Sequence, residues 1–246
     1  MQTEESPYSN GRAVQAAIKS AAQRDVRAKS FGVGDLIRQA TFDRFLCRVF
    51  SVQSPQFVLK GGTGMLARLS TSRATKDIDL SVGEGDLAAG YKPTGELETL
   101  SPANRLPLAR LRTFDYVLYP IVDQVADKLC ATHSRYGESR APSSRVKDLI
   151  DLLIVSLTES LDARRLWIAV ATEIKRRDLD QIAAFVIPPD WSSRYLVLAR
   201  PLGLLEEFPN AAVAEERVQA MLNPILDGTV TDGGWESGAG IWMTSK

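Results

Sequence analysis

A short stretch of the chain, residues 57–82, combines a glycine turn with two closely spaced aspartates. Asp77 and Asp79 alternate with the apolar residues Ile78 and Leu80, and this alternation is typical of a strand with one buried face. Residues two apart on a strand share a face and lie roughly 6.5 Å from each other, so both carboxylates can converge on one cation. The stretch therefore predicts a strand that presents a carboxylate pair to a divalent metal, although the same pattern also occurs on solvated strand faces.

The glycine turn precedes the aspartates and has the pattern of a strand that runs into a helix. An apolar run ends at Leu59, the turn reads Lys60-Gly61-Gly62-Thr63, and the residues after it fit one face of a short helix. Backbone N–H groups at such a helix start, with the positive end of the helix dipole, favour a bound phosphate. Thr63 either contacts that phosphate or caps the helix. The turn lacks the residues of a P-loop or a Rossmann fingerprint, and a plain tight turn is the alternative interpretation.

A second group of polar residues lies on two predicted helices, at residues 121–133 and 145–158. Lys128 lies at the edge of the apolar stripe of the first helix, and Asp148 and Asp151 lie together outside the stripe of the second. These side chains either belong to a site or are solvated helix residues, with the aspartates paired to cations three residues away.

The two groups together resemble a known family. The strings LKGGT at 59–63 and RATKDIDL at 73–80 resemble the first motif of the polymerase-beta-like nucleotidyltransferase superfamily. Within it they are most similar to the AbiEii/AbiGii toxin family, which includes the MenT-type toxins. The strings DKLCA at 127–131 and RVKDLID at 145–151 resemble that family's second motif, and residues 185–199 resemble its second-domain region.

The resemblance implies an enzyme that moves NMP from an NTP to an acceptor and releases pyrophosphate. It assigns the metal, Mg²⁺ or Mn²⁺, to Asp77 and Asp79, and catalysis to Asp77, Asp79, Lys128 and Asp148. It assigns nucleotide contacts to Lys60, Gly61, Gly62, Thr63, Arg73 and Lys128. The acceptor in characterised relatives is the 3′ end of tRNA, and the implied role is that of the toxin in a toxin–antitoxin (abortive infection) pair with a cognate antitoxin protein. Some relatives are silenced by phosphorylation at the position of Thr75.

One feature departs from the superfamily pattern. Polymerase-beta-like transferases usually draw a third carboxylate from a later strand, whereas the segment between Asp79 and Lys128 is short and rich in Gly and Pro. Asp115 is the nearest candidate, and Glu84 and Asp86 compete with it. The sequence therefore leaves two alternatives open: a transferase that modifies a protein or a small molecule, or a degenerate protein that binds NTP without catalysis.

Composition indicates a globular chain without a dominant charge. The 246 residues are 44% hydrophobic and carry 30 basic and 30 acidic side chains, so no global positive field recruits nucleic acid. Local basic stretches occur at 24–29, 135–147 and 175–177. Cys47 and Cys130 lack CxxC spacing and are expected to be buried thiols in a reducing compartment. Without an apolar run of membrane length or a signal-peptide pattern, we expect a cytoplasmic protein with no membrane association.

The pattern predicts an α+β fold in which a small mixed sheet, the nucleotidyltransferase core, is joined to a mainly helical C-terminal half. Strands are expected near 56–59, 77–82 and 114–118. The expected organisation is a polar arm at 1–12, a core with N-terminal helices at 13–120, a helical domain completing the active site at 121–226, and a flexible glycine-rich tail at 227–246, which Trp235 and Trp242 would dock in the alternative case.

Overall fold

The computed structural model describes residues 8–52, 57–70, 72–82, 93–109 and 111–244, and it confirms the predicted α+β class. The chain forms two compact units: unit 1 contains residues 1–91 and 98–118, and unit 2 contains residues 92–97 and 119–246. The division after Leu118 falls close to the predicted end of the core at residue 120. No pattern in the sequence predicts that residues 92–97 group with the helical half.

The described residues of unit 1 form a four-stranded mixed sheet and four helices. The strands are β1 (Phe57–Lys60), β2 (Asp79–Val82), β3 (Glu98–Leu100) and β4 (Tyr116–Leu118), in the order β2-β1-β4-β3. Only β1 and β4 are parallel, and the other neighbours are antiparallel. The helices are α1 (Gly11–Arg24), α2 (Ala28–Phe31), α3 (Val33–Val49) and α4 (Gly61–Arg68).

The core of unit 1 forms where α3 packs on one face of this sheet. Leu59 of β1 and Leu118 of β4 are completely buried, and they cluster with Leu46 and Cys47 of α3. Burial of each such aliphatic side chain contributes about 1.5–3 kcal/mol. The alternation of β1 and β2 therefore places Leu59 and Leu80 towards this core, which leaves Lys60 and Asp79 on the opposite face.

A buried polar network also links α3 to β4, and the sequence did not predict it. The Asp43 carboxylate accepts hydrogen bonds from the Tyr116 hydroxyl at 2.5 Å, Arg105 Nε at 2.8 Å and Arg44 Nη2 at 2.6 Å. Burial alone would raise the pKa of Asp43, but these three donors hold it below its usual value. Asp43 therefore stays ionised and holds the sheet against α3.

Unit 2 is mainly helical. Its helices are α5 (Ile121–His133), α6 (Val146–Thr158), α7 (Ala163–Arg176), α8 (Ser192–Ala199) and α9 (Ala211–Leu226), with short 3₁₀ turns at Pro189–Trp191, Arg200–Leu202 and Leu204–Glu206. Helix α5 packs against α6 and α7, and α6 packs against α9. Trp191 and Tyr195 are completely buried, in agreement with the expected structural role of their segment.

The glycine-rich C-terminal stretch is docked on unit 2, which differs from the expected flexible tail. Strands β5 (Gly234–Glu236) and β6 (Ile241–Met243) form a hairpin. Trp235 is buried and its Nε1 donates to the Ser156 carbonyl at 2.9 Å, while Trp242 Nε1 donates to the Met221 carbonyl at 2.9 Å. The two indole rings therefore attach to unit 2 a segment that its glycine content predicted to be flexible.

Cys47 and Cys130 are buried and form no disulfide. Within the described ranges, none of the helices has both the length and the apolar character needed to cross a membrane.

Candidate active site

The turn between β1 and α4 brings Asp79 directly against the backbone of Gly61. Lys60 pairs with Asp79 in the β1–β2 register, and Gly61 follows with a φ of +64°. A Cβ added to Gly61 would lie 2.0 Å from Asp79 Oδ2. Glycine is therefore required at this position for two reasons. The backbone is left-handed, and a side chain would collide with the Asp79 carboxylate.

Two threonines hold the loop that carries Asp77. Thr63 Oγ1 donates to the Asp77 carbonyl at 2.5 Å, and Thr75 Oγ1 donates to Asp77 Oδ1 at 2.7 Å. Both threonines are at most 5% exposed. The Thr63 hydroxyl proton is thus used to position Asp77, and no side chain caps the start of α4. The expected contact of Thr63 with a phosphate stays a prediction.

Arg73 lies on the other side of the same turn. A Cβ added to Gly62 would lie 3.3 Å from Arg73 Nη2 and 3.0 Å from Thr75 Oγ1. The predicted residues of unit 1, namely Lys60, Gly61, Gly62, Thr63, Arg73, Thr75, Asp77 and Asp79, are therefore gathered around the start of α4.

The donor set of this site fits a hard divalent cation. Asp77 and Asp79 are both exposed, and carboxylate oxygens are the ligands that Mg²⁺ prefers, with waters and substrate phosphates completing its shell. No cluster of three or more His, Cys, Asp or Glu side chains suited to a metal is found in the part of the chain that the structure describes. The two carboxylates therefore suit a cation whose remaining ligands come from water and from the phosphates of a nucleotide.

The structure does not bring Asp115 to this pair. Leu59 of β1 aligns with Leu118 of the parallel strand β4, and Asp115 lies before the start of β4. Asp115 is thus four register positions, about 13 Å, from the row of Lys60 and Asp79. Asp115 is wrong as the third carboxylate because it lies towards the opposite end of the sheet, and Glu84 and Asp86 lie outside the described residues.

The predicted residues of unit 2 form a buried charge cluster. Lys128 Nζ lies 2.5 Å from Asp151 Oδ2 and 3.6 Å from Asp148 Oδ1. All three residues are at most 4% exposed. Lys128 is therefore not a solvated helix lysine, and Asp148 and Asp151 are buried side chains and not solvated ones. Packing of α5 against α6 brings the three side chains together.

Arg145 extends this cluster towards solvent. Its Nε donates to Asp148 Oδ2 at 2.5 Å, and its side chain is 38% exposed. Partial burial lowers the pKa of Arg145, but the hydrogen bond and charge of Asp148 outweigh burial and raise it. The cluster of Lys128, Asp148, Asp151 and Arg145 holds two positive and two negative charges, so each buried ion has a partner of opposite sign.

Comparison with known proteins decides the family. A family model described as "Nucleotidyl transferase AbiEii toxin, Type IV TA system" matches residues 44–100 and 93–237. The chain belongs to this family. The match includes both motif groups and most of each unit, and the protein is therefore a nucleotidyltransferase toxin of a toxin–antitoxin system that uses an NTP, a divalent metal and an antitoxin partner. A comparison with curated proteins finds no match.

In this AbiEii nucleotidyltransferase, Gly61→Ala is expected to reduce transfer at least tenfold. The added Cβ would overlap Asp79 Oδ2 and displace the carboxylate, and the positive φ adds about 1–2 kcal/mol of backbone cost. Gly203→Ala is the matched control, because Gly203 has a φ of +71° but no atom within 4 Å of its added Cβ. Transfer rates and thermal unfolding should be measured for both variants. An equal loss of transfer in the two would show that backbone strain, and not the position of Asp79, causes the defect.

Proposed function

We propose that this protein transfers NMP from an NTP to the 3′-terminal hydroxyl of tRNA. The oxygen of that hydroxyl forms a bond to the α-phosphorus, the bond from the α-phosphorus to the pyrophosphate oxygen breaks, and the hydroxyl proton passes to solvent. The observation that carries this proposal is the exposed pair of Asp77 and Asp79 at the start of α4. Family membership supports the transfer chemistry, and the tRNA acceptor follows from the resemblance.

Asp77 and Asp79 are proposed to hold Mg²⁺, for which Mn²⁺ can substitute. When bound, the cation neutralises phosphate charge and orients the reacting groups. Thr63 and Thr75 fix Asp77 in place before any ligand arrives, and Gly61 leaves room for the Asp79 carboxylate. The N–H groups at the start of α4 face the triphosphate in this proposal, with Lys60 and Arg73 as nearby cations.

Lys128 is proposed to contact the nucleotide phosphates, and Asp148 to position Lys128. Two carboxylates restrict the Lys128 ammonium to one place. A phosphate that reaches Lys128 therefore has to compete with Asp151, the nearer carboxylate. Asp148 also holds Arg145, so its replacement would disturb both cations.

The acceptor is tested by incubating the purified protein with each α-³²P-labelled NTP, Mg²⁺ and total tRNA. Half of the tRNA is first oxidised with periodate, which destroys the 3′-terminal diol. We expect label on intact tRNA from one preferred NTP and none on oxidised tRNA. Equal labelling of both preparations, or label only on protein or on a small molecule, would overturn the tRNA proposal and favour the alternative acceptor classes.

Thr75 is proposed as a regulatory phosphorylation site. Its hydroxyl is bonded to Asp77, so a phosphate there would place nearly two negative charges beside the metal-binding pair and remove a hydrogen bond that positions it. We expect Thr75→Glu to reduce transfer at least tenfold and to weaken NTP binding. Thr113→Glu, at an exposed threonine of unit 1, is the control. Wild-type NTP affinity and transfer in Thr75→Glu would reject this role.

A cytoplasmic location also stays a prediction.

A further inference from the structure

The loop between α5 and α6, residues 134–145, begins and ends beside the buried charge cluster of unit 2. Lys128 lies five residues before His133, where α5 ends, which is about 7.5 Å along the helix. Asp148 lies in the first turn of α6. A molecule bound to this loop is therefore held near Lys128 and Asp148.

The loop is held in one conformation at both of its ends. Ser134 Oγ donates to the Cys130 carbonyl at 2.8 Å, and the buried Trp191 Nε1 donates to the Ser143 carbonyl at 3.0 Å. Between them, Tyr136 and Ala141 exchange two backbone hydrogen bonds of 2.9 and 3.0 Å. The loop is thus a short hairpin, and groups on it are displayed at fixed positions.

Tyr136 presents an aromatic ring on this hairpin. Its hydroxyl donates to the Ala131 carbonyl at 3.1 Å, while the residue is 41% exposed. The polar tip is satisfied by the protein and the ring meets solvent. A ring fixed in this way loses little entropy when a base stacks on it.

Two arginines lie next to Tyr136 and to its bridge partner Ala141 along the hairpin. Arg135 and Arg140 are exposed, and within the described ranges neither forms a side-chain hydrogen bond or an ion pair. Arg140 also has a left-handed φ of 49° at the turn, a conformation that non-glycine residues rarely adopt. The one acid of the hairpin is Glu138, so its net charge is positive.

The other two basic stretches of the sequence have fewer available cations. In residues 24–29, Arg27 pairs with Asp25 and Arg24 bonds to a serine hydroxyl. In residues 175–177, both arginines pair with the carboxylate of Glu173. Of the three basic stretches, the one that includes this hairpin is the one in which two exposed, unpaired arginines lie next in sequence to an exposed tyrosine or its bridge partner.

We infer that this hairpin binds the unpaired 3′ end of the RNA acceptor, with a base stacked on Tyr136 and phosphates bound by Arg135 and Arg140. This inference rests on the proposed function, in which the acceptor is an RNA. It assigns to unit 2 both a nucleotide-contacting lysine and the element that positions the acceptor next to it.

The test measures binding of a fluorescent RNA hairpin that carries a single-stranded 3′ tail, by anisotropy without NTP and at several salt concentrations. Tyr136→Ala is expected to weaken binding about tenfold, and Tyr136→Phe, which keeps the ring, to weaken it less than about threefold. The pair Arg135→Gln and Arg140→Gln is expected to reduce the salt slope by roughly 1.4, or 0.7 per phosphate contact. A blunt RNA hairpin, which offers no unpaired base, should show no effect of Tyr136→Ala.

The matched control is the pair Arg164→Gln and Arg165→Gln on α7, where both arginines are exposed, and this pair should bind RNA like the wild type. Thermal unfolding and NTP affinity verify the fold of each variant. If the wild type binds and labels RNA but the loop variants do so equally well, the loop inference alone is overturned. If the loop variants lose RNA binding but the wild type labels no RNA, the hairpin is an RNA-binding element, whereas the proposed function and the acceptor role of that RNA are overturned. Loss of antitoxin binding with RNA binding unchanged would overturn the loop inference in favour of a protein partner.

Discussion

Asp79→Asn is expected to reduce NMP transfer by about 1000-fold or more while leaving the protein folded. Asp79 is exposed and lies on the solvent-facing side of β2, so its replacement leaves no unpaired charge in the core. Loss of one of the two carboxylates that are proposed to hold the metal would remove several kcal/mol of metal-dependent stabilisation, and each 1.36 kcal/mol corresponds to a factor of ten in rate. The measurement is the initial rate of label transfer from an α-³²P-labelled NTP at saturating Mg²⁺.

Asp115→Asn is the matched control for this variant. Asp115 is also an exposed aspartate of unit 1, but it lies about 13 Å from Asp79 along the sheet by its register. It should keep the wild-type rate. If the Asp115→Asn and Asp79→Asn variants lose activity to the same extent, then the position of the carboxylate in the turn does not determine catalysis.

Lys128→Met is expected to reduce both transfer and stability. The substitution leaves Asp148 and Asp151 buried without the ammonium between them, and breaking a buried ion pair in this way costs about 3–5 kcal/mol. For a chain of this size we expect a fall in melting temperature of roughly 10 °C. Because Lys128 is proposed to contact the nucleotide phosphates, we also expect its loss to lower the transfer rate by about 100-fold or more.

A second variant separates these two effects. Lys128→Met combined with Asp151→Asn removes the excess buried charge, so part of the lost stability should return while transfer stays low. Lys175→Met, on an exposed lysine of α7, should change neither quantity. Recovery of wild-type transfer in the double variant would show that Lys128 serves only to balance the charge of Asp151.

The sequence predicted the elements that have strong periodicity. Helix α5 spans the predicted residues 121–133, and α6 begins one residue after its predicted start. Strand β3 was missed because its three residues lie in a segment rich in Gly and Pro. Strand β2 begins at Asp79 and not at Asp77, because its partner strand β1 ends at Lys60, which pairs with Asp79.

The sequence predicted which residues form the site, but it did not predict the contacts and the burial of these residues. The resemblance to the superfamily's first motif indicated that the glycine turn and the two aspartates share a site, but the direct contact of Gly61 with Asp79 depends on the β1–β2 register. Burial of Lys128 between two aspartates depends on how α5 packs against α6, which local patterns do not determine. The Asp43 network joins residues that are distant in sequence, and for this reason no motif indicated it.

One transfer experiment tests the account most directly. The wild type, Asp79→Asn, Asp115→Asn and the Lys128→Met/Asp151→Asn double variant are each incubated with an α-³²P-labelled NTP, Mg²⁺ and tRNA, after thermal unfolding has shown that each is folded. The account predicts label on tRNA with the wild type and Asp115→Asn, and almost none with the other two. Label at the wild-type level with Asp79→Asn would contradict the assignment of the Asp77–Asp79 pair as the catalytic metal site.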